Sequence, residues 1–107
     1  MSPPSSMGGG NAFALKFISG KYQGGEFPLK VDKQVVIGRS SELDMVLVED
    51  MVSRRHAKII ITDDQIFIQD LGSTNGTYLD RTRLTTPTPI SLGAPIRIGK
   101  TVIELRK

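Results

Sequence analysis

From Ala12 onward, apolar side chains recur at every second position or in short unbroken runs, and Gly, Asp, Asn, Ser or Pro separates one run from the next. A period of two sends successive side chains to opposite faces of the backbone, so the pattern predicts strands. They are Ala12 to Ile18, Glu26 to Leu29, Gln34 to Ile37, Met45 to Val46, Ala57 to Thr62, Gln65 to Asp70, Thr77 to Leu79, Pro95 to Ile98 and Thr101 to Leu105. Three joints are short enough for antiparallel hairpins: Asp63-Asp64, Asp80-Arg81 and Gly99-Lys100. No window of about 11 residues keeps helical spacing without Gly or Pro, so no long helix is expected. Many short strands at this spacing imply an all-β sandwich whose two sheets bury their inner faces, with function on the loops at one end.

Composition narrows the chemistry. At 107 residues the chain fits one domain, and 11 glycines and 6 prolines favour turns over long helices. Residues 1–11, MSPPSSMGGGN, read as a flexible tail or linker, which leaves 12–107 as the domain. The tail has neither the basic start nor the apolar stretch of a secretory signal. No run is apolar for the roughly 18 residues of a membrane span, so a soluble, cytoplasmic protein with no membrane insertion is expected. With no cysteine, disulfides, thiol nucleophiles and thiolate metal sites are excluded, and one histidine excludes a multi-histidine metal cluster. The 14 basic and 11 acidic residues leave +3, a mild pull towards anions that does not choose among them.

Motifs that imitate enzymes fail on their surroundings. Gly99-Lys100-Thr101 copies the end of a phosphate-binding P-loop, but Ala94 stands where that loop needs its first glycine, and the six residues after Thr101, VIELRK, form no helix. Ser53 and His56 imitate a nucleophile and base, without a GxSxG elbow or an acid placed to orient the imidazole. Glu49-Asp50 and Asp63-Asp64 lack calcium-loop spacing and read as solvated turns. No catalytic residue, metal site or cofactor is expected.

Three segments remain: Ile37-Gly38-Arg39-Ser40, Val52-Ser53-Arg54-Arg55-His56-Ala57, and Asp70-Leu71-Gly72-Ser73-Thr74-Asn75-Gly76-Thr77. Each lies at a strand end and carries donors suited to an anion: guanidinium groups at Arg39, Arg54 and Arg55, a hydroxyl at Ser53, an amide at Asn75. A phosphate offers only acceptor oxygens, and an arginine fork binds two of them in parallel while a serine hydroxyl reaches a third.

In Gly38-Arg39, then Ser53-Arg54-Arg55-His56 in the S-x-x-H pattern, then Asn75-Gly76, the sequence resembles the forkhead-associated (FHA) domain family, over about Phe13 to Leu105. The resemblance implies an eleven-stranded antiparallel β-sandwich that binds phosphothreonine peptides through loops at one end and catalyses nothing. It implies that Arg39 pairs with the phosphate, that Ser53 donates to the same group, and that Arg54 is a second phosphate or peptide contact. Thr74 would line the edge of the site, and Asn75 would hold the peptide backbone. Gly38, His56 and Gly76 would shape the loops, His56 as a buried hydrogen-bonding strut. Asn75-Gly76 is also the dipeptide favoured in type I′ hairpins, and turn and binding roles are compatible.

The expected partner is a phosphothreonine-containing protein, bound in trans because the tail has no threonine, and so a Ser/Thr kinase or its substrates. The chain itself is expected to be a monomer. Ser40 to Leu43 and nearby loops would read the flanking sequence. Two rivals stay open: an FHA-type scaffold that binds protein without phosphate, and nucleic-acid binding through residues such as Arg81 and Arg83. The second is disfavoured because only 6% of residues are aromatic.

Overall fold

The computed structural model describes residues 13–107, so the expected tail and Ala12 lie outside the described residues. The strands are β1 (Ala14–Ser19), β2 (Glu26–Pro28), β3 (Gln34–Gly38), β4 (Met45–Val46), β5 (Ala57–Ile61), β6 (Ile66–Asp70), β7 (Thr77–Leu79), β8 (Thr82–Arg83), β9 (Thr88–Pro89), β10 (Pro95–Ile98) and β11 (Thr101–Arg106). They form a five-stranded sheet, β9-β6-β5-β3-β4, and a six-stranded sheet, β2-β1-β11-β10-β7-β8. No helix occurs among the described residues, and so none that is long and apolar enough to cross a membrane.

The alternation is what holds the sheets together. Leu15 and Phe17 on β1, Ile96 and Ile98 on β10, and Ile103 and Leu105 on β11 are buried against Val35 and Ile37 on β3, Ile59 and Ile61 on β5, and Ile66 and Ile68 on β6. β-Branched side chains dominate because they pack well on a pleated surface.

Two strands escape the sequence pattern. β8 and β9 are two residues each and have no buried side chain, so they have no inward stripe to read. Every strand pair is antiparallel except β3 with β4, which is parallel, with Ile37 opposite Met45. This departs from the all-antiparallel expectation. The chain loops back through 39–44, and the Asp44 carboxylate accepts the Val36 N–H at 3.0 Å, replacing a ladder partner at that edge.

The three expected hairpins are present. Asp80 and Arg81 both have positive φ, 49° and 72°, as a type I′ turn demands. Ile98 pairs with Thr101 across Gly99-Lys100, so the P-loop imitation is a hairpin turn. Its Lys100 N–H donates to Glu49 Oε1 at 2.8 Å and the Thr101 hydroxyl donates to Glu49 Oε2, which ties the loop after β4 to the opposite sheet.

Register then decides where the site lies. Ile37 pairs with Ala57, and Ala57 with Asp70, so β3 and β6 end where β5 begins. The loops 39–44, 47–56 and 71–76 therefore emerge side by side at one end of the sandwich.

Candidate functional site

Gly38 sets the closest approach in this cluster. A Cβ built there would lie 2.1 Å from the Arg54 carbonyl oxygen and 2.8 Å from Leu43 Cδ1, so only hydrogen fits. That proximity lets two strand-like bonds continue past β3: Arg39 N–H to the Ser53 carbonyl at 3.0 Å, and Ser40 N–H to the Arg54 carbonyl at 3.3 Å.

Arg39 is exposed, yet its side chain is held. Its Nε–H donates to the Val52 carbonyl at 3.0 Å, which fixes the plane of the guanidinium and leaves the terminal nitrogens uncommitted. Arg39, Arg54 and Arg55 line one cleft together with Ser40 and Glu42. Arg55, exposed like Arg39 and Arg54, faces solvent across this same cleft. Among the described residues none of the three arginines is in an ion pair; the pairs present are Lys16–Glu26 and Arg106–Glu104.

Ser53 is half-buried, and its Oγ accepts the Thr74 N–H at 3.1 Å, so its own proton remains free to be donated outward. The same bond brings Thr74, exposed at the edge, next to Ser53. Asn75 is exposed as well, and its Nδ2 donates to the Met51 carbonyl at 2.8 Å. This contact directs the amide from the third loop across to the second and leaves Oδ1 as an acceptor.

His56 is fully buried between these loops. Its Nδ1 accepts the Ser53 N–H at 3.1 Å, and its Nε2 lies 2.9 Å from the Gly76 carbonyl. Those two partners assign the proton to Nε2. Backbone bonds from His56 N–H to Ile37 and from Leu71 N–H to the His56 carbonyl fasten the residue to both neighbouring strands. Imidazole is the side chain that can accept from one loop and donate to another at this span, and Ser53 and Gly76 are held in relation to each other through it.

Asn75-Gly76 is not a hairpin. β6 and β7 belong to different sheets, and only Gly76 of the pair has positive φ, 87°, whereas a type I′ turn needs both. The dipeptide sits in a crossover between sheets, shaped by Asp70, a residue with no assigned role in the sequence reading. The Asp70 carboxylate accepts the Gly72 and Ser73 N–H groups at 3.0 Å each, the Ser73 hydroxyl at 2.5 Å and the Thr77 hydroxyl at 2.7 Å. Ser73 Oγ in turn accepts the Gly76 N–H at 2.9 Å. The signal was available in the spacing, since Asp followed at short range by Ser and Gly is an Asx-type turn.

Burial alone would raise the Asp70 pKa, but the Ser73 and Thr77 hydroxyls and the Ser73 and Gly72 N–H groups outweigh it and hold the carboxyl below its ordinary 3.8. A lowered folded pKa stabilises the fold above the ordinary value, and this stability is lost as pH falls through the folded value. Asp70→Asn should therefore cost about 2 kcal/mol at neutral pH. It should also flatten the acid limb of the stability curve below about pH 4. Urea denaturation of both proteins at neutral and acid pH measures this, and parallel curves would refute it.

Comparison with known proteins converges on one family. The FHA domain family model matches residues 35–99. Over 75 residues the chain is 51% identical to the FHA domain-containing protein FhaB of Mycolicibacterium smegmatis, covering 70% of this chain and 48% of that protein, so this chain spans about half its length. The crystal structure of the FHA domain of CT664 from Chlamydia trachomatis superposes with a TM-score of 0.85 at 32% identity, over 91% of this chain and 98% of that one. Mycobacterium tuberculosis EmbR, in complex with a low-affinity phosphopeptide, gives 0.82 at 30% identity, over 94% of this chain and 26% of that one. The matched segment is more than half of the sequence and contains all three site loops, and the chain belongs to the forkhead-associated domain family.

Proposed function

We propose that this chain recognises a phosphothreonine-containing segment of a partner protein, in trans and without catalysis, and so brings its host to the substrates of a Ser/Thr kinase. FHA domains are recognition modules, and the structurally similar EmbR holds a phosphopeptide. The observation that carries the reading is the cleft lined by Arg39, Arg54 and Arg55 with Glu42 as its one carboxylate. A dianionic phosphate is the small anion such a cluster suits, because guanidinium forks and a serine hydroxyl supply donors and demand only acceptors.

In this reading Arg39 clamps the phosphate through its terminal nitrogens and Ser53 donates its free proton to the same group. Arg54 adds charge at the rim. Thr74 borders the threonine side, and Asn75 engages the peptide backbone. Gly38, His56 and Gly76 hold the loops at the spacing one phosphate requires. A chain without cysteine suits the reducing cytoplasm, where we place it.

Among the described residues the cleft is lined by polar and charged side chains alone, without an apolar pocket to add to these contacts, so affinity should be about micromolar. Isothermal titration of a phosphothreonine peptide and its unphosphorylated twin tests the proposal directly. Binding of the first alone is expected, and equal affinity for both would overturn it.

A further inference from the structure

On the outer face of the six-stranded sheet, cross-strand register sets Tyr78 of β7 between Arg83 of β8 and Arg97 of β10. The Arg97 guanidinium lies over the Tyr78 ring, 4.5 Å from its centroid. Arg81, in the β7–β8 turn, lines the same shallow depression as Tyr78 and Arg97. None of the three arginines is in an ion pair among the described residues. Of the carboxylates at hand, Asp80 is adjacent in sequence to Arg81, and Glu104, on the neighbouring strand β11 opposite Pro95 and diagonal to Arg97, already binds Arg106 at 2.6 Å.

Arg81 occupies its position at a cost. A type I′ turn places its second central residue at positive φ, where glycine is unstrained and a long side chain is not, and Arg81 has φ 72°. A strained residue that carries charge into a cluster of like charge points to a use for that charge.

The patch also adjoins the phosphopeptide site. Gly76 precedes β7, and a Cβ built on it would lie 2.8 Å from Arg83 Nε, so the Arg83 side chain covers the loop that carries Asn75. From Asn75 to Tyr78 is about 10 Å along extended backbone.

We propose that this face is a second docking surface, for an acidic stretch of the same partner chain that presents the phosphothreonine; the proposal rests on the phosphothreonine reading above. Exposed charge contacts are individually weak, but an anchored phosphothreonine makes the second contact intramolecular and raises its effective concentration. The Arg97 guanidinium already occupies one face of the Tyr78 ring, and no second aromatic residue lines the depression, which favours acidic protein over nucleic acid.

The test compares a short phosphothreonine peptide with versions carrying a run of glutamates roughly four to eight residues to either side, a span set by strand rise. With the wild-type chain, one acidic version should bind roughly fivefold tighter than the short peptide. In Arg81→Gly/Arg97→Ala that gain should vanish while the short peptide binds as before. Arg81→Gly alone, which relieves the positive φ in the turn and should leave the fold intact, should remove part of the gain. The proposal is overturned if neither acidic version gains, if the gain survives the double substitution, or if an oligothymidylate instead shows the Arg81- and Arg97-dependent binding. The short peptide with and without its phosphate reports on the phosphothreonine reading separately.

Discussion

Arg39→Ala should weaken binding of a phosphothreonine peptide by about 100-fold, or ~2.7 kcal/mol. The size follows from what is removed. The Nε–H is already committed to the Val52 carbonyl, so in the proposed complex the phosphate would meet the two terminal nitrogens, in a plane set before the ligand arrives. Charge-assisted hydrogen bonds contribute about 1.5 to 3 kcal/mol each. Preorganisation also lessens the ordering cost of binding. Arg39→Lys separates charge from geometry: the ammonium keeps the positive charge but has neither the fork nor the tether, so a loss of about tenfold is expected. Calorimetry with one peptide across the three proteins decides it. Unchanged affinity in Arg39→Ala would refute the assignment, and a lysine variant equal to wild type would show that charge alone suffices.

Gly38→Ala should be the most destabilising single-methyl change in this region, at about 3 kcal/mol or more. The added carbon would sit 2.1 Å from a backbone oxygen of the neighbouring strand extension, and backbone cannot swing aside as a side-chain tip does. Relief requires β3 and the Arg54 segment to part. That parting breaks the Arg39 and Ser40 bonds to the Ser53 and Arg54 carbonyls, and it moves Arg39 away from Ser53. For a domain of this size the loss corresponds to a drop in melting temperature of more than about 12 °C. Thermal denaturation followed by circular dichroism measures it, and a melting temperature within about 3 °C of wild type would contradict the packing argument. Peptide affinity should fall in the same variant even where it remains folded.

Some of this was legible in the chain because it depends on local periodicity. Nine strands could be read from alternating apolar positions, and both the hairpin at Asp80-Arg81 and that at Gly99-Lys100 from their turn residues. The donors Arg39, Arg54 and Asn75 could be read from residue type alone. What could not be read involves groups that every residue possesses. The Val52 and Met51 carbonyls that orient Arg39 and Asn75 carry no sequence signal, since any side chain at those positions offers the same acceptor. Asn75-Gly76 misled for a related reason: the dipeptide favours a turn, but whether the turn joins neighbours in one sheet or crosses between two depends on where β7 pairs.

The amino-acid sequence by itself determined the sandwich and the inventory of hydrogen-bond donors at the loops, because alternation and side-chain chemistry are properties of single residues and their near neighbours. Only the tertiary structure decided that Arg55 stands on the cleft, that Asp70 organises the third loop, that Arg81 and Arg97 line one depression, and that Arg83 and Arg97 flank Tyr78. These are relations between residues distant in sequence. They are set by strand register and by hydrogen bonds between backbone groups, which no pattern of side chains spells out.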